Sequence, residues 1–408
     1  MLIIDTVFFM VYNKSKEIFM LDFVFSTPTK VYFGKGRQKE VGKIVKEFGY
    51  KKVMIQYGKG SAVKSGLIDE VTTSLTQEGI DYVLMGGVEP NPKLNFVRTA
   101  IKKAREEKVD LILAVGGGSA IDSSKATAIG TLSSGDIWDI YMGKAKIENA
   151  LPVGCILTIS ASGSEMSSSA VITNTDLKMK KGIVTELNRC KFAILNPELT
   201  YSLPKYQTAC GIVDMISHAL ERYFSNVPDT PLTDNVTEGI IRAIIDAGEI
   251  LINNPTDYNA SATIMWGSSL AHNGITGVGR ENYLAVHQLE HALSGVFDEV
   301  VHGAGLAVLY PAWARYVYKC NVYRFAKFAR NVMRVSEDND ELAAIKGIDK
   351  LQEFFVKLGM PTKLSDFNIN EESLDELANI ATFNQTRVIN GYVTLGFKEV
   401  REIFKSCL

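Results

Sequence analysis

The sequence predicts an α/β N-terminal domain on a parallel, Rossmann-like sheet, followed by an all-α C-terminal domain. Three observations predict it. Short β-rich runs alternate with helical periodicity through the first half, the rhythm of parallel βαβ units. From about Tyr201 long helical patterns take over and β-branched runs become scarce. A continuous apolar run at 111–115 feeds directly into Gly116-Gly117-Gly118-Ser119, a tight strand-to-helix turn. The chain has 408 residues, and a domain usually takes roughly 100–200. The expected division is an extension at 1–19, an α/β domain at 20–198 and a helical domain at 199–408.

The elements follow in order. Residues 23–25 and 30–33 flank Pro28 and read as a β-hairpin whose edge strand a partner could cover. A helix is expected over 39–48, a strand over 52–57, a Gly-Lys-Gly-Ser loop, a helix over 66–78 and a strand over 82–85. The stretch 95–108 places Phe96, Val97, Ala100, Ile101 and Ala104 on one helical face. The strand at 111–115 leads through a loop at 116–119 to a helix at 120–132. Helices are then expected over 205–224, 231–253, 260–273, 283–296, 305–318, 322–335, 342–358 and 371–382.

Composition narrows the function classes. Lys plus Arg is 44 against 46 Asp plus Glu, a net charge of −2, which excludes a nucleic-acid footprint and a polybasic membrane surface. The apolar content of 46% excludes disorder for most of the chain. Five cysteines, at 155, 190, 210, 320 and 407, form no C-x-x-C pair, so neither a disulfide framework nor a thiolate zinc site is expected. The apolar run at 1–12 is too short to span a bilayer, is broken by Asp5 and lacks a basic leader, so it is not read as a signal peptide. Met20 is an alternative start, and a cytoplasmic protein is expected.

Two glycine-rich turns point to a nucleotide. Gly117, Gly118 and Ser119 open a helix whose unpaired N–H groups suit a phosphate. Gly58, Lys59 and Ser61 repeat the logic one βα unit earlier. Readers of NAD usually set an acid against the adenine ribose. This loop carries Lys59, Ser61 and Lys64 and no acid, which favours a 2′-phosphate and hence NADPH over NADH.

The histidines give a sharper signal, since all five (218, 272, 287, 291 and 302) fall within one stretch of the chain. Asp214 and His218 are four apart on a helical pattern and share a face, and His287 and His291 repeat the spacing. His302 follows in an expected loop. A carboxylate with neutral imidazoles is the usual ligand set for Fe(II) or Zn(II). Spacing alone leaves open which of His287, His291 and His302 bind, and His272 is read as a core histidine.

At these residues the chain resembles the iron-containing (group III) alcohol dehydrogenases, in particular their butanol-dehydrogenase-like branch. The resemblance rests on AVGGGSAIDSSK (114–125), LTISASGSE (157–165), LPKYQTACGIVDMISHALERYF (203–224) and VHQLEHALSGVFDEVVHGAGLAVLYPAW (286–313), and runs from about Leu21 to the C-terminus. It implies a dehydroquinate synthase-like architecture with a dinucleotide-binding domain, a helical metal-binding domain and the site between them. Carried over by motif, the metal ligands are Asp214, His218, His287 and His302, and His291 is the non-ligand histidine that assists proton transfer at the nicotinamide. Gly117, Gly118, Ser119 and Asp122 match the pyrophosphate loop, and Thr158 and Ser162 a second nucleotide segment. The family's lysine near the nicotinamide is Lys180 or Lys181, with Lys180 preferred. The motif departs from the family pattern at Ser162, which stands where Thr is usual, and at Ser167, where Asn is common.

The implied activity is hydride transfer between NADP(H), or NAD(H), and a primary alcohol or aldehyde such as butanol or butanal, with Fe(II), or Zn(II), as Lewis acid. A homodimer is implied, with no nucleic-acid or membrane partner. The competing expectations are a zinc-dependent glycerol dehydrogenase-like enzyme and a metal- or nucleotide-binding protein without turnover.

Overall fold

The computed structural model describes residues 19–227 and 230–408. The run at 1–12 and the extension up to residue 18 lie outside the described residues. The first part contains β1 (Lys30–Phe33), α1 (Val41–Glu47), β2 (Lys52–Gly58), α2 (Ser61–Lys64), α3 (Leu67–Gln77), β3 (Asp81–Val88), α4 (Leu94–Glu107), β4 (Leu111–Gly116), α5 (Gly118–Leu132), α6 (Ile137–Tyr141), β5 (Val153–Leu157), β6 (Ser169–Asn174), β7 (Met179–Val184) and β8 (Phe192–Leu195). The helical part contains α7 (Lys205–Tyr223), α8 (Pro231–Asn253), α9 (Tyr258–His272), α10 (Ala285–Val296), α11 (His302–Val317), α12 (Val322–Asn331), α13 (Asp340–Lys357), α14 (Leu374–Ala381) and α15 (Phe397–Lys405).

Six strands form one sheet in the order β1-β8-β5-β4-β2-β3, with every neighbouring pair parallel. Helices cover both faces of such a sheet, which is why β4 and β5 are apolar at nearly every position and buried along their length. The chain runs outward from β2 to β3, then crosses back to lay β4 on the other side of β2. The loops that leave the carboxyl ends of β2 and β4 therefore diverge, and the crevice between them is where open α/β sheets bind ligands.

Three local expectations are corrected. Residues 23–25 form no strand and no hairpin; β1 pairs with β8 in parallel instead. The preceding segment finds its partner in the helical part, where the Leu21 N–H donates to the Gly279 carbonyl at 3.0 Å and Phe25 lies against Gly274. The glycine turn is shorter than expected, since Gly116 ends β4 and Gly118 begins α5, so Gly117 alone joins strand to helix. His302 is the first residue of α11 rather than part of a loop. The glycines after it serve packing: a Cβ on Gly303 would overlap the Cys210 carbonyl oxygen, so only glycine lets α11 press this closely on α7. The antiparallel hairpin of β6 and β7 is an addition to the expected elements.

The largest core lies in the helical part, around α7 and α11. At its edge a buried carboxylate, Asp234 on α8, accepts from Arg324 (Nη1 and Nη2, both 2.6 Å), from Lys327 Nζ (2.5 Å) and from Arg280. Among the described residues no helix is long and apolar enough to cross a membrane.

Burial alone would raise the Asp234 carboxyl, but Arg324, Lys327 and Arg280 outweigh it and hold it at about 2. Its folded value thus lies below the unfolded one, so its contribution is complete above about pH 4 and is lost as the pH falls toward 2. Asp234→Asn leaves buried cations without a counter-charge and is expected to destabilise the protein by about 3 kcal/mol at pH 7. Denaturant unfolding at pH 7 and at pH 3 checks this, and the gap between the two proteins should narrow at the lower pH.

Candidate metal and dinucleotide site

α7 delivers Asp214 and His218 one turn apart, α10 delivers His287 and His291 in the same way, and α11 delivers His302 from its first position. Asp214 Oδ1 is the common point. It lies 2.9 Å from His218 Nδ1, 3.4 Å from His287 Nε2 and 3.8 Å from His302 Nε2. Asp214, His218 and His287 are buried and their donor atoms converge within 4.8 Å of one another. The rings of His218 and His287 are 4.0 Å apart, and those of His287 and His302 are 5.3 Å apart.

The tautomers follow from what each Nδ1 meets. His218 Nδ1 faces the Asp214 carbonyl oxygen at 3.0 Å, His287 Nδ1 a Glu221 carboxylate oxygen and His302 Nδ1 a Glu290 carboxylate oxygen. An Nδ1–H given to oxygen leaves Nε2 with a bare lone pair, the state a metal takes. The charges around each group differ. Burial would raise the Asp214 carboxyl, yet His218, His287 and His302 hold it well below the usual range. Burial drives His218 down to about 3, helped by His287. Burial opposes charge on His287 as well, but Glu221 and Asp214 push it up to about 9. The donor set of one carboxylate and three imidazoles fits Fe(II) or Zn(II).

Glu290, His291 and His302 also cluster. That cluster suits a second cation poorly, because Lys180 Nζ is 3.4 Å from Glu290 Oε2 and 3.5 Å from His302 Nδ1. His291 is half-buried, its ring 5.8 Å from that of His302, and burial followed by Lys180 holds it well below the ordinary histidine value. Strand alternation separates the two candidate lysines. Lys180 reaches Ser294 Oγ at 3.1 Å on α10, whereas Lys181 lies over the Phe383 ring. His272 is a core histidine at the rim, edge-on to His218 at 4.0 Å with Nε2 2.9 Å from Ser169 Oγ.

The nucleotide-type residues lie along the carboxyl edge of the sheet. Gly117 and Gly118 face the segment after β5: a Cβ on Gly118 would overlap Ser162 Oγ, and one on Gly117 would press on Ile159. Thr158 is tied to this turn by its N–H, which donates to the Gly116 carbonyl at 3.0 Å. Ser119 is half-buried on the first turn of α5. Asp122 points inward, accepting from Ser164 Oγ at 2.5 Å and from the Val171 N–H at 2.9 Å. Gly58, Lys59 and Ser61 follow β2, and Lys59 Nζ is 2.5 Å from Glu89 Oε1 at the end of β3. The two halves meet directly, since a Cβ on Gly211 in α7 would overlap the Ser160 carbonyl oxygen.

Sequence reasoning missed three contributors. Lys125, fully buried, winds the 164–169 turn around its amine, donating to the carbonyls of Ser164 (2.6 Å), Ser169 (2.9 Å) and Ser167 (3.1 Å). Its only signal was a lysine on the buried face of an apolar helix. Glu221 and Glu290 follow His218 and His287 by three residues each, and that repeated H-x-x-E spacing was their signal.

Comparisons with known proteins agree with this geometry. Residues 28–197 match the iron-containing alcohol dehydrogenase family, and residues 208–408 match the C-terminal part of the Fe-containing alcohol dehydrogenase family. The NADH-dependent butanol dehydrogenase A of Clostridium acetobutylicum is 40% identical over 95% of this chain and 99% of its own. The NADPH-dependent aldehyde reductase YqhD of Escherichia coli is 34% identical over 88% of this chain and 92% of its own. The crystal structure of an NADH-dependent butanol dehydrogenase A from Thermotoga maritima superposes with a TM-score of 0.92 at 40% identity, covering 95% of this chain and 99% of that one.

The expected ligands and the expected bystander can be told apart by substitution. His218→Ala is expected to abolish stoichiometric metal binding, whereas His291→Ala keeps the metal and slows turnover at least tenfold. Metal analysis of the two purified variants checks this, and loss of metal from the His291 variant would show that His291 is a ligand.

Proposed function

The chain belongs to the iron-containing alcohol dehydrogenase family, and from that premise we propose that it reduces straight-chain aldehydes such as butanal to primary alcohols, reversibly, with NADPH preferred over NADH. The observation that carries this reading is the convergence of Asp214, His218, His287 and His302 at the point where α7 touches the segment after β5. A metal-type donor set beside a dinucleotide-type crevice supports the reading. Asp214, His218, His287 and His302 would hold the metal, with Fe(II) the family's metal and Zn(II) accommodated by the same donors.

A divalent metal bound there lends Lewis acidity to a substrate oxygen, and the nicotinamide supplies the hydride. The chain's own residues do the rest. Gly117 and Gly118 let a pyrophosphate approach the start of α5, where Ser119 and the free N–H groups receive it. Thr158 and Ser162 form the opposite wall. Asp122 and Lys125 fix that wall from beneath. His291, kept neutral by its surroundings, accepts or returns the substrate proton. Closure of the helical part on the sheet excludes water and aligns the reacting atoms.

NADPH preference rests on Lys59, Ser61 and Lys64 around the expected adenine ribose, with no acid in that loop. Lys59 is 68% exposed, and its Glu89 partner is at the surface too, so the pair yields to a 2′-phosphate. A cytoplasmic setting is supported by the cysteines, which are all free. A homodimer is supported by the position of β1 at the sheet edge and by the exposed Phe19, Phe23 and Val24 in the segment that precedes it.

The deciding experiment follows NADPH oxidation by butanal with protein stripped of metal and given Fe(II) or Zn(II) anaerobically, with NADH, glycerol and 1,3-propanediol compared. Turnover restored by Fe(II), and faster with NADPH, is expected. Lys59→Ala should raise the KM for NADPH about tenfold, roughly 1.4 kcal/mol, and leave that for NADH unchanged. Equal effects on both coenzymes would remove Lys59 from the ribose site. No butanal turnover with any metal would overturn the substrate class. Sedimentation at about twice the chain mass is expected, and a monomer would refute the dimer.

A further inference from the structure

Two buried carboxylates stand behind the imidazoles, and they are not equivalent. Glu221 holds His287 Nδ1 through Oε2 while its Oε1 accepts from the backbone N–H groups of Val286 (2.6 Å) and His287 (3.4 Å), so it also caps the start of α10. Glu290 holds His302 Nδ1 through Oε2, shares that oxygen with Lys180 Nζ at 3.4 Å, and keeps Oε1 buried without a hydrogen-bond partner among the described residues. Glu290 is 0% exposed, and Lys180 is 6% exposed along its side chain. A buried carboxylate with one bare oxygen is destabilising unless further positive charge offsets it. No capping duty accounts for Glu290. It lies in the middle of α10, where a glutamate on an apolar face contributes nothing to the helix itself.

We propose that Glu290 is a positioning residue that aims His302 Nε2 at the metal, and that Lys180 supports Glu290 from β7 rather than touching the substrate. The inference rests on the metal-site reading above. The carboxylate fixes the His302 tautomer and ring plane, and without it the ring at the solvent-facing edge of the cluster, 24% exposed, turns freely. Lys180 belongs to the sheet part and Glu290 to the helical part, with Ser294 Oγ as the second anchor of the amine at 3.1 Å. The same contact therefore ties metal geometry to the closure of the two parts.

Co(II) is the probe, because its visible absorption reports ligand geometry independently of turnover. Glu290→Gln is nearly isosteric and removes the charge. It is expected to weaken Co(II) binding 10–100-fold in chelator competition and to shift the visible bands. Glu290→Asp keeps the charge but withdraws it by one methylene, and should weaken binding likewise, which covers failure of the first variant to fold. Lys180→Met should shift the same bands. A lysine that acted only on substrate or nicotinamide would slow turnover and leave them unchanged. Parent-like affinity and spectra in both Glu290 variants would overturn the proposal, and an unchanged spectrum in Lys180→Met would overturn the part assigned to Lys180. Tight Co(II) binding by the parent without butanal turnover counts against the functional reading alone. A parent that binds no Co(II) overturns both.

Discussion

Everything in this molecule that bears on chemistry is arranged around one buried carboxylate oxygen, Asp214 Oδ1. Removing a carboxylate from water costs several kcal/mol unless opposite charge surrounds it. Three imidazoles from three helices converge on it, and a cation held among them would offset its charge. Their approach is possible because α11 begins with small residues: Gly303 lets its first turn sit on the backbone of α7, one turn before Asp214. The helical part is thus packed closely where it positions the donors.

The sheet contributes from the other side through topology. Reversal of the strand order between β2 and β4 opens a crevice, and single-residue connections such as Gly117 keep it free of side chains. The facing wall, residues 158–168, contains no helix or strand, and a loop of that length tends to be mobile. Here Lys125 and Asp122 hold it from within, and Ser169 ties it to His272 beside His218. Lys180 crosses in the opposite direction. The two parts are thereby locked together at the residues that would meet coenzyme and metal.

How much of this was legible follows from the kind of signal each residue leaves. Asp214 and His218, or His287 and His291, sit one helical turn apart, so their shared face is written into the spacing. Parallel βαβ rhythm is equally local. The hairpin expected at 23–33 failed because pairing is decided by non-local partners: β8, some 160 residues away, and the 274–279 turn outcompete a neighbour across Pro28. His302 was placed in a loop because two glycines follow it, and glycine looks the same in sequence whether it breaks a helix or lets two helices touch. Glu221 and Glu290 left only their H-x-x-E spacing, which puts each on the face of the preceding histidine, and only tertiary packing shows that each turns to the next imidazole. The choice of Lys180 over Lys181 needed the register of β7 against α10, which no local pattern encodes.

The coenzyme preference is the property least secured by this scaffold, and the physics says why. The cluster of Asp214 with the imidazoles is mostly buried and its charges interact strongly, so substitutions there are expected to act by orders of magnitude. The adenosine end of the crevice is exposed, and Lys59 meets Glu89 in a pair that contributes at most about 1 kcal/mol in water. A tenfold preference corresponds to only about 1.4 kcal/mol. One surface cation, partly neutralised by one acid at the end of the adjacent strand, is therefore enough to tip the balance in either direction. That one relative of this chain is named for NADH and another for NADPH is what such an uneven distribution of energy produces. The chemistry is fixed where burial makes charge expensive to move, and selectivity is left where water makes it cheap.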